Sequence, residues 1–421
     1  MKFSPWRTGP VMLATVVLGA TTGGLGAARA EPSATPSEPS RPATAGRPQT
    51  FWLHLNSTAT TDAILATEAR RRSFIVLNAW EENLIPKLKA ANPAIQVYVY
   101  KDLSSTRSYA CHDGTDDADL PTGVGYCDAD AHHRDWFLTA PDGTRYQYDG
   151  YPGHWQMDVG NVAYQDAWAA NVIRSATAAG FDGVEMDNAL FTCDGYHEGS
   201  CPARYPNDAA MQGAYRSMLA NVRDDFVAAG LKAVANLANA RLHAGVWDSY
   251  VEYLDGGFDE WWLTFSDTDM LPEYDEGWSR VVSEIETDEA NGKITWVQPH
   301  FSAGAVQPFR YAFASYLMAA GSRAAFTQIS QTDGYGDPTP WHAEYDWDLG
   351  AATGARSSAG TNLWRRSFTC GLAVVNANPT GSGARSVALG GSFVDQDGRT
   401  VTSVSLPGTS GAVLRKPGCT P

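Results

Sequence analysis

The sequence predicts an α/β protein: a (β/α)8 TIM barrel over residues 50–345, followed by a small all-β domain of sandwich type over 346–421. Three observations carry this expectation. Eight short apolar runs alternate with helical patterns over about 280 residues, which favours a closed barrel over an open doubly wound sheet. After about Tyr345 the helical periodicity stops, and short alternating runs appear between Gly, Ser, Asn and Pro turns. Between these lies Gly180-Phe181-Asp182-Gly183-Val184-Glu185-Met186-Asp187-Asn188, a helix stop and a strand with carboxylates at its exit.

Residues 1–30 have basic Lys2 and Arg7, an apolar run from Pro10 to about Leu25, and Ala28-Arg29-Ala30, the layout of a cleavable secretory signal. Residues 31–49, rich in Pro, Ser and Thr, read as a flexible linker. The barrel strands follow: Phe51–Asn56, Phe74–Asn78, Ile95–Tyr100, Phe181–Asp187, Lys232–Asn236, Gly257–Trp262, Ile294–Gln298 and Ala325–Ile329. Apolar residues from Trp168 to Ala179 recur at helical spacing up to Gly180, and Met211 to Ala229 do so up to Gly230. A long loop separates the third strand from the helix before the fourth, the kind of insertion that carries function. In the tail, Leu372–Asn376, Ser386–Leu389 and Ser410–Leu414 read as strands.

Six cysteines, all after residue 30, are an even count in an exported chain, which points to disulfides. Their spacing suggests Cys111–Cys127, Cys193–Cys201 and Cys370–Cys419, one of fifteen possible pairings. Three of the 31 Lys and Arg, and none of the 47 Asp and Glu, lie in residues 1–30, so the formal charge of −16 becomes −19 without them. Such a surface repels phosphate backbones, so neither nucleic acid nor an anionic membrane is an expected partner, and no later run is long enough to span a bilayer. A monomer is expected. Fourteen Trp and eighteen Tyr offer flat faces that stack on sugars, although most belong in cores.

Period-two alternation puts Glu185 and Asp187 on the lumen face of the fourth strand, and Phe258, Glu260 and Trp262 on that of the sixth. Two carboxylates converging across a barrel mouth suit glycoside cleavage, in which one attacks an oxocarbenium-like centre and the other protonates the leaving oxygen. Asp187 is read as nucleophile and Glu260 as acid/base: polar Asn188 would keep Asp187 charged, while Trp261 and Trp262 would favour protonated Glu260. Asp259 and Glu185 are the nearest rivals, and strand register decides between Asp259 and Glu260. Asp182, on the outer face, is expected to bond backbone N–H groups. Asn188, Asp102, Asp158, Asn236, Gln298 and His300 lie at or beyond strand ends as candidates for sugar hydroxyls; Trp80, Trp155, Trp262, Trp296 and Trp341 are candidate stacking platforms. No metal or cofactor is expected: His112–Asp119 lacks the ligand spacing of a calcium loop and reads as a solvated turn, and His132-His133 is adjacent rather than a helical turn apart. No Gly-x-Ser-x-Gly or Gly-Lys-Ser motif supports an esterase or a nucleotide enzyme.

The Gly180–Asn188 block, Asp255-Gly256-Gly257-Phe258-Asp259-Glu260-Trp261, Asp348-Leu349-Gly350 and the run Arg365–Asn376 together resemble hypothetical glycosyl hydrolase family fifteen, itself similar to endo-α-1,4-polygalactosaminidase barrels. The resemblance covers about residues 50–420 and implies a barrel, a C-terminal β-domain, and Asp187 with Glu260 as the catalytic pair. It supplies no substrate. The α-amylase superfamily also has Gly-Phe-Asp-Gly-x-x-x-Asp at its fourth strand, but Glu185 stands here where those enzymes have Arg, and Asn236 stands where they have Glu. The expectation is a secreted glycoside hydrolase of a polysaccharide, α-linked and retaining by analogy with barrels that place the nucleophile after strand four and the acid after strand six. The alternatives are a non-catalytic carbohydrate-binding barrel of the cell envelope and a structural wall protein.

Overall fold

The computed structural model describes residues 47–55, 60–330 and 335–419, so the expected signal and most of the linker lie outside the described residues. Eight parallel strands close a barrel in sequence order: β1 (Gln49–His54), β2 (Phe74–Leu77), β3 (Gln96–Asp102), β4 (Gly183–Asp187), β5 (Lys232–Asn236), β6 (Gly256–Asp259), β7 (Ile294–Val297) and β8 (Ala324–Phe326). Gln49 opposite Ala325 closes the ring, which takes Gln49 out of the linker and into β1.

Helices α1 (Asp62–Arg71), α2 (Ile85–Ala91), α3 (Tyr126–His132), α4 (Val162–Ala179), α5 (Asp208–Ala229), α6 (Val246–Val251), α7 (Trp278–Asn291) and α8 (Val306–Leu317) connect the strands. Caps set the two longest: the side chains of Asn161 and Asn207 accept the first free N–H groups of α4 and α5, and Gly180 and Gly230 end them at φ 84° and 73°, the left-handed conformation glycine tolerates. Asp182 then takes the N–H of Val97 and the ammonium of Lys89, as its outward position requires.

Alternation fills the barrel. Phe51, Leu53, Phe74, Val76, Tyr98, Val234, Phe258, Ile294, Trp296 and Ala325 form the lumen core, while Trp52, Ile75, Val97, Val184 and Ala235 face the helices. The sixth strand ends at Asp259, three residues short of the sequence reading, because the chain turns at Glu260 and Trp261. All three expected disulfides are present. Asp116, in the turn expected to be solvated, instead caps α3 by accepting from the N–H groups of Cys127 and Asp128.

The C-terminal region is one six-stranded sheet rather than a sandwich: β9 (Ser357–Gly360), β10 (Leu363–Ser367), β11 (Gly371–Asn376), β12 (Arg385–Val394), β13 (Thr400–Leu406) and β14 (Ser410–Arg415), in the order β9-β10-β11-β14-β12-β13, with its neighbouring strands antiparallel. No second sheet is needed, because α8 covers one face. Ala373, Val375 and Val413 pack with α8, whereas Leu372, Val374 and Leu414 turn to a second core with Val387, Leu389, Phe393 and Leu406. A register shift in β12 between Ala388 and Phe393 lets that strand bend over this core. Gly411 lies against α8, where a Cβ would come within 2.6 Å of both the Ala314 side chain and the Arg310 carbonyl.

Candidate active site

The carboxyl end of the barrel is built by register. β3 and β4 pair so that Tyr100 lies opposite Glu185 and Asp102 opposite Asp187, which sets Glu185 one layer below the mouth and Asp187 at it. Tyr100 donates its hydroxyl to Asp187 Oδ2 at 2.7 Å. Asn188, held at φ 60°, donates its N–H to Asp187 Oδ1 at 2.8 Å and its amide to Asp187 Oδ2 at 3.2 Å. Asn236, at the end of β5, donates to Asp187 Oδ1 at 3.1 Å and to Glu260 Oε2 at 2.8 Å. One amide nitrogen thus touches both carboxylates, and the two bonds together hold the nearest oxygens no more than about 6 Å apart.

Glu260 also accepts the Tyr335 hydroxyl on Oε1. It continues the lumen face of Phe258, whereas Asp259 turns toward the helix layer and takes the N–H of Trp261. That geometry separates Glu260 from Asp259 at the mouth. Level with Asp187, Asp102 accepts from the N–H groups of Ser104 and Ser105, the Ser105 hydroxyl, Arg107 Nη2 at 2.8 Å and the Asn188 amide at 2.7 Å.

The charges follow from these surroundings. Burial alone would raise Asp102, but Arg107 and the other donors outweigh it and hold the carboxyl below the usual range. Asp187 is pushed up to about 7, by burial first and then by Glu260 and Asp102, despite the donors from Tyr100 and Asn188. The sequence reading expects Asn188 to keep Asp187 charged; the donors are present, but burial and the neighbouring carboxylates prevail. Glu185, 2% exposed, is raised well above the carboxylate range by burial and then by Asp187, Glu260 and Asp102. It underlies Asp187 instead of facing a sugar.

Asp259 and Asp288 are likewise pushed up to about 7, both chiefly by burial. A carboxyl raised from 3.8 to about 7 binds its proton more tightly when folded, so its contribution is full below pH 4 and is lost as pH rises through 7. We therefore expect the urea midpoint to be higher at pH 5 than at pH 8. An equal or higher midpoint at pH 8 would contradict these three burials.

The other candidates separate into site and scaffold. His300 stacks on Trp261 at 3.6 Å between ring centroids and donates Nε2–H to the Glu260 carbonyl at 2.7 Å; burial lowers its pKa to about 4. Gln298 lies behind Tyr335, 3.5 Å from its hydroxyl. Asp158 is instead a buried brace for the long loop, bound to Arg204 at 2.7 Å and to the Tyr205 hydroxyl.

Of the five tryptophans, Trp80 presents a face, 45% exposed, in the turn after β2. Trp296 lies in the closed lumen layer, stacked on Phe51, and Trp262 lies in the core shared by α7 and α8, so neither can meet a sugar. Trp155 packs onto the barrel core from a short strand paired with Ser105–Arg107. Trp341 is flanked by Arg71 and Arg72, beside the start of β2 and away from the mouth.

Sequence reasoning missed Tyr100, Tyr335 and Tyr196, whose hydroxyl donates to Asn188 Oδ1 at 2.6 Å. Tyr100 shares the lumen face of β3 with Tyr98 and Asp102, a signal that alternation offered. Tyr335 and Tyr196 come from loops, where no periodicity marks them.

No curated protein matches the chain. Among solved structures, it is similar to the glycoside hydrolase domain of PelA from Pseudomonas aeruginosa, at 14% identity over 69% of this chain and 98% of that one, with a TM-score of 0.44. It is also similar to Aspergillus fumigatus Ega3 in complex with galactosamine, at 12% identity over 72% and 98% with a TM-score of 0.41. An α-amylase from Malbranchea cinnamomea aligns at 9% identity over 89% and 98% with a TM-score of 0.50, a likeness of fold. The profile of hypothetical glycosyl hydrolase family 15 matches residues 89–372, more than half of the chain, from within α2 to the start of β11 and including both carboxylates at the mouth. The chain therefore belongs to hypothetical glycosyl hydrolase family 15 and is a glycoside hydrolase, acting on the O-glycosyl bonds of carbohydrate.

Proposed function

We propose that the chain is a secreted, monomeric hydrolase of an α-linked polysaccharide that works by retention, with Asp187 as nucleophile and Glu260 as acid/base. The observation that carries this is the Asn236 amide bonded to both carboxylates. Nearest oxygens within about 6 Å lie closer to the spacing of about 5–5.5 Å used for direct attack than to the roughly 6.5–9.5 Å that an inverting enzyme keeps for a water, which supports retention. Asp187, with donors on both oxygens and no freedom to swing, suits a nucleophile that must meet an anomeric carbon in line, acting in its ionised form as pH rises through about 7. Glu260, two strands round the barrel from Asp187, would protonate the leaving oxygen and then take the proton of the incoming water.

Among the described residues neither carboxylate forms an ion pair, so both are free to do chemistry. The α-linkage rests on analogy with barrels that share this placement of nucleophile and acid. Export is supported by three disulfides and by the layout of residues 1–30.

The test is reducing-end release from bacterial and plant polysaccharides, with the first-formed anomer followed by proton NMR. The α-anomer should appear first from an α-linked polymer. Appearance of the β-anomer first would mean inversion and remove the nucleophilic role of Asp187.

A further inference from the structure

The loops after β3 and β4 together carry a row of aromatic rings that begins at the carboxylates and ends in solvent. Tyr196, whose hydroxyl bonds Asn188, stacks on Tyr148 at 4.1 Å and meets Tyr151 edge-on at 5.5 Å. Tyr151 lies 5.4 Å from His154, and His154 lies 5.6 Å from Tyr109, each between ring centroids. Tyr151 is close enough to the catalytic pair for Glu260 and Asp187, after burial, to push its phenol up to about 12.

At the outer end Tyr109 is 55% exposed, yet it is not loose. Its hydroxyl is 3.2 Å from His154 Nε2, and its ring lies over Gly153, where a Cβ would come within 2.9 Å of it. Gly153 has φ 85°, so the backbone there can pass close beneath the ring. One face of Tyr109 is thus packed and the other is open.

We propose that the substrate is a glycan chain of several units that runs from the Asp187–Glu260 pair along Tyr151 and His154 to Tyr109, whose open face stacks on the apolar face of an outer sugar. This rests on the polysaccharide-hydrolase reading and adds to it the direction in which the chain extends. The chemistry is that of pyranose recognition: one face of the ring presents C–H groups that are stabilised against a flat aromatic, while the hydroxyls at its edge stay in water. A fixed aromatic gives that contact with little entropy left to lose. The steps between rings are each about one sugar unit, so successive units would meet successive rings. Tyr109 takes no part in bond cleavage; it makes the enzyme prefer a chain to a single terminal sugar.

The full chain carrying Asp187→Asn, which prevents turnover, is run in native affinity gels containing starch, pullulan, dextran, deacetylated chitin or pectin. At least one polymer should retard it. Adding Tyr109→Ala should weaken that retardation about tenfold, whereas Tyr109→Phe, which keeps the ring and loses only the hydroxyl, should leave it nearly unchanged. Equal retardation of the Tyr109→Ala variant, or retardation by none of the polymers, would overturn the proposal. Hydrolysis is scored separately with the unmodified chain: no release from any polymer would sink the hydrolytic reading, while loss of retardation with Tyr109→Ala would still stand.

Discussion

Asp187→Asn and Glu260→Gln, each alone, are expected to lower kcat/KM on the hydrolysed polymer by about 10²–10⁴-fold, because each removes a group acting in the transition state. The two losses should differ in kind. Without Glu260 the leaving oxygen departs unprotonated, so an aryl glycoside with an acidic phenol should be cut far better than the polymer, and its glycosyl intermediate should accumulate. Without Asp187 no covalent intermediate forms, and a better leaving group should restore little. Activity unchanged in either variant, or identical responses of both to the leaving group, would break the assignment. The geometry gives a reason to expect the asymmetry: Asp187 is fixed by donors from Tyr100, Asn188 and Asn236, whereas Glu260 is held by Tyr335 and the shared Asn236 amide.

The largest expected loss of stability lies beside Asp187, on the neighbouring strand β3. Asp102 and Arg107 are both buried, with the guanidinium 2.8 Å from the carboxylate. Asp102→Ala would leave a buried cation without its counter-charge, at a cost of about 3–5 kcal/mol in urea unfolding. The Asp102→Leu, Arg107→Met double variant should recover much of that loss, because neither charge then has to be desolvated. It should still lose activity, since Asn188 would no longer be fixed through its 2.7 Å bond to Asp102. A loss below about 1 kcal/mol for Asp102→Ala would mean that water reaches Arg107 and that the pair is not the support described above.

The barrel was legible in the sequence because its strands are short, apolar and separated by capped helices. Gly180 and Gly230 marked helix ends that the structure reproduces at positive φ. Alternation placed Phe258 and Glu260 on the lumen face, and it failed where the strand did. Trp262 shares their parity, but the chain turns at Glu260 and Trp261, so alternation does not carry past Glu260 and the indole lies in another core. For Trp296 the face was right and the depth was not: alternation distinguishes lumen from helix layer, but it cannot tell a floor residue from a mouth residue. Register between strands gives that depth, as with Asp102 opposite Asp187, and register depends on residues distant in sequence. The tyrosines from the loops, Tyr196 and Tyr335, lay beyond both arguments.

The packing of α8 bears on how the protein can be divided. From Pro308 to Leu317 every residue of the helix except Arg310 is buried, because the barrel takes one side and β11 and β14 take the other. A helix of this kind has no solvent face of its own. The C-terminal sheet is therefore not a cargo module that could be moved to another enzyme or clipped away. A barrel cut at residue 346 would expose the apolar face of α8 that β11 and β14 cover, so its failure would report on folding and not on where the protein is sent in the cell. Barrel and sheet form one inheritable unit.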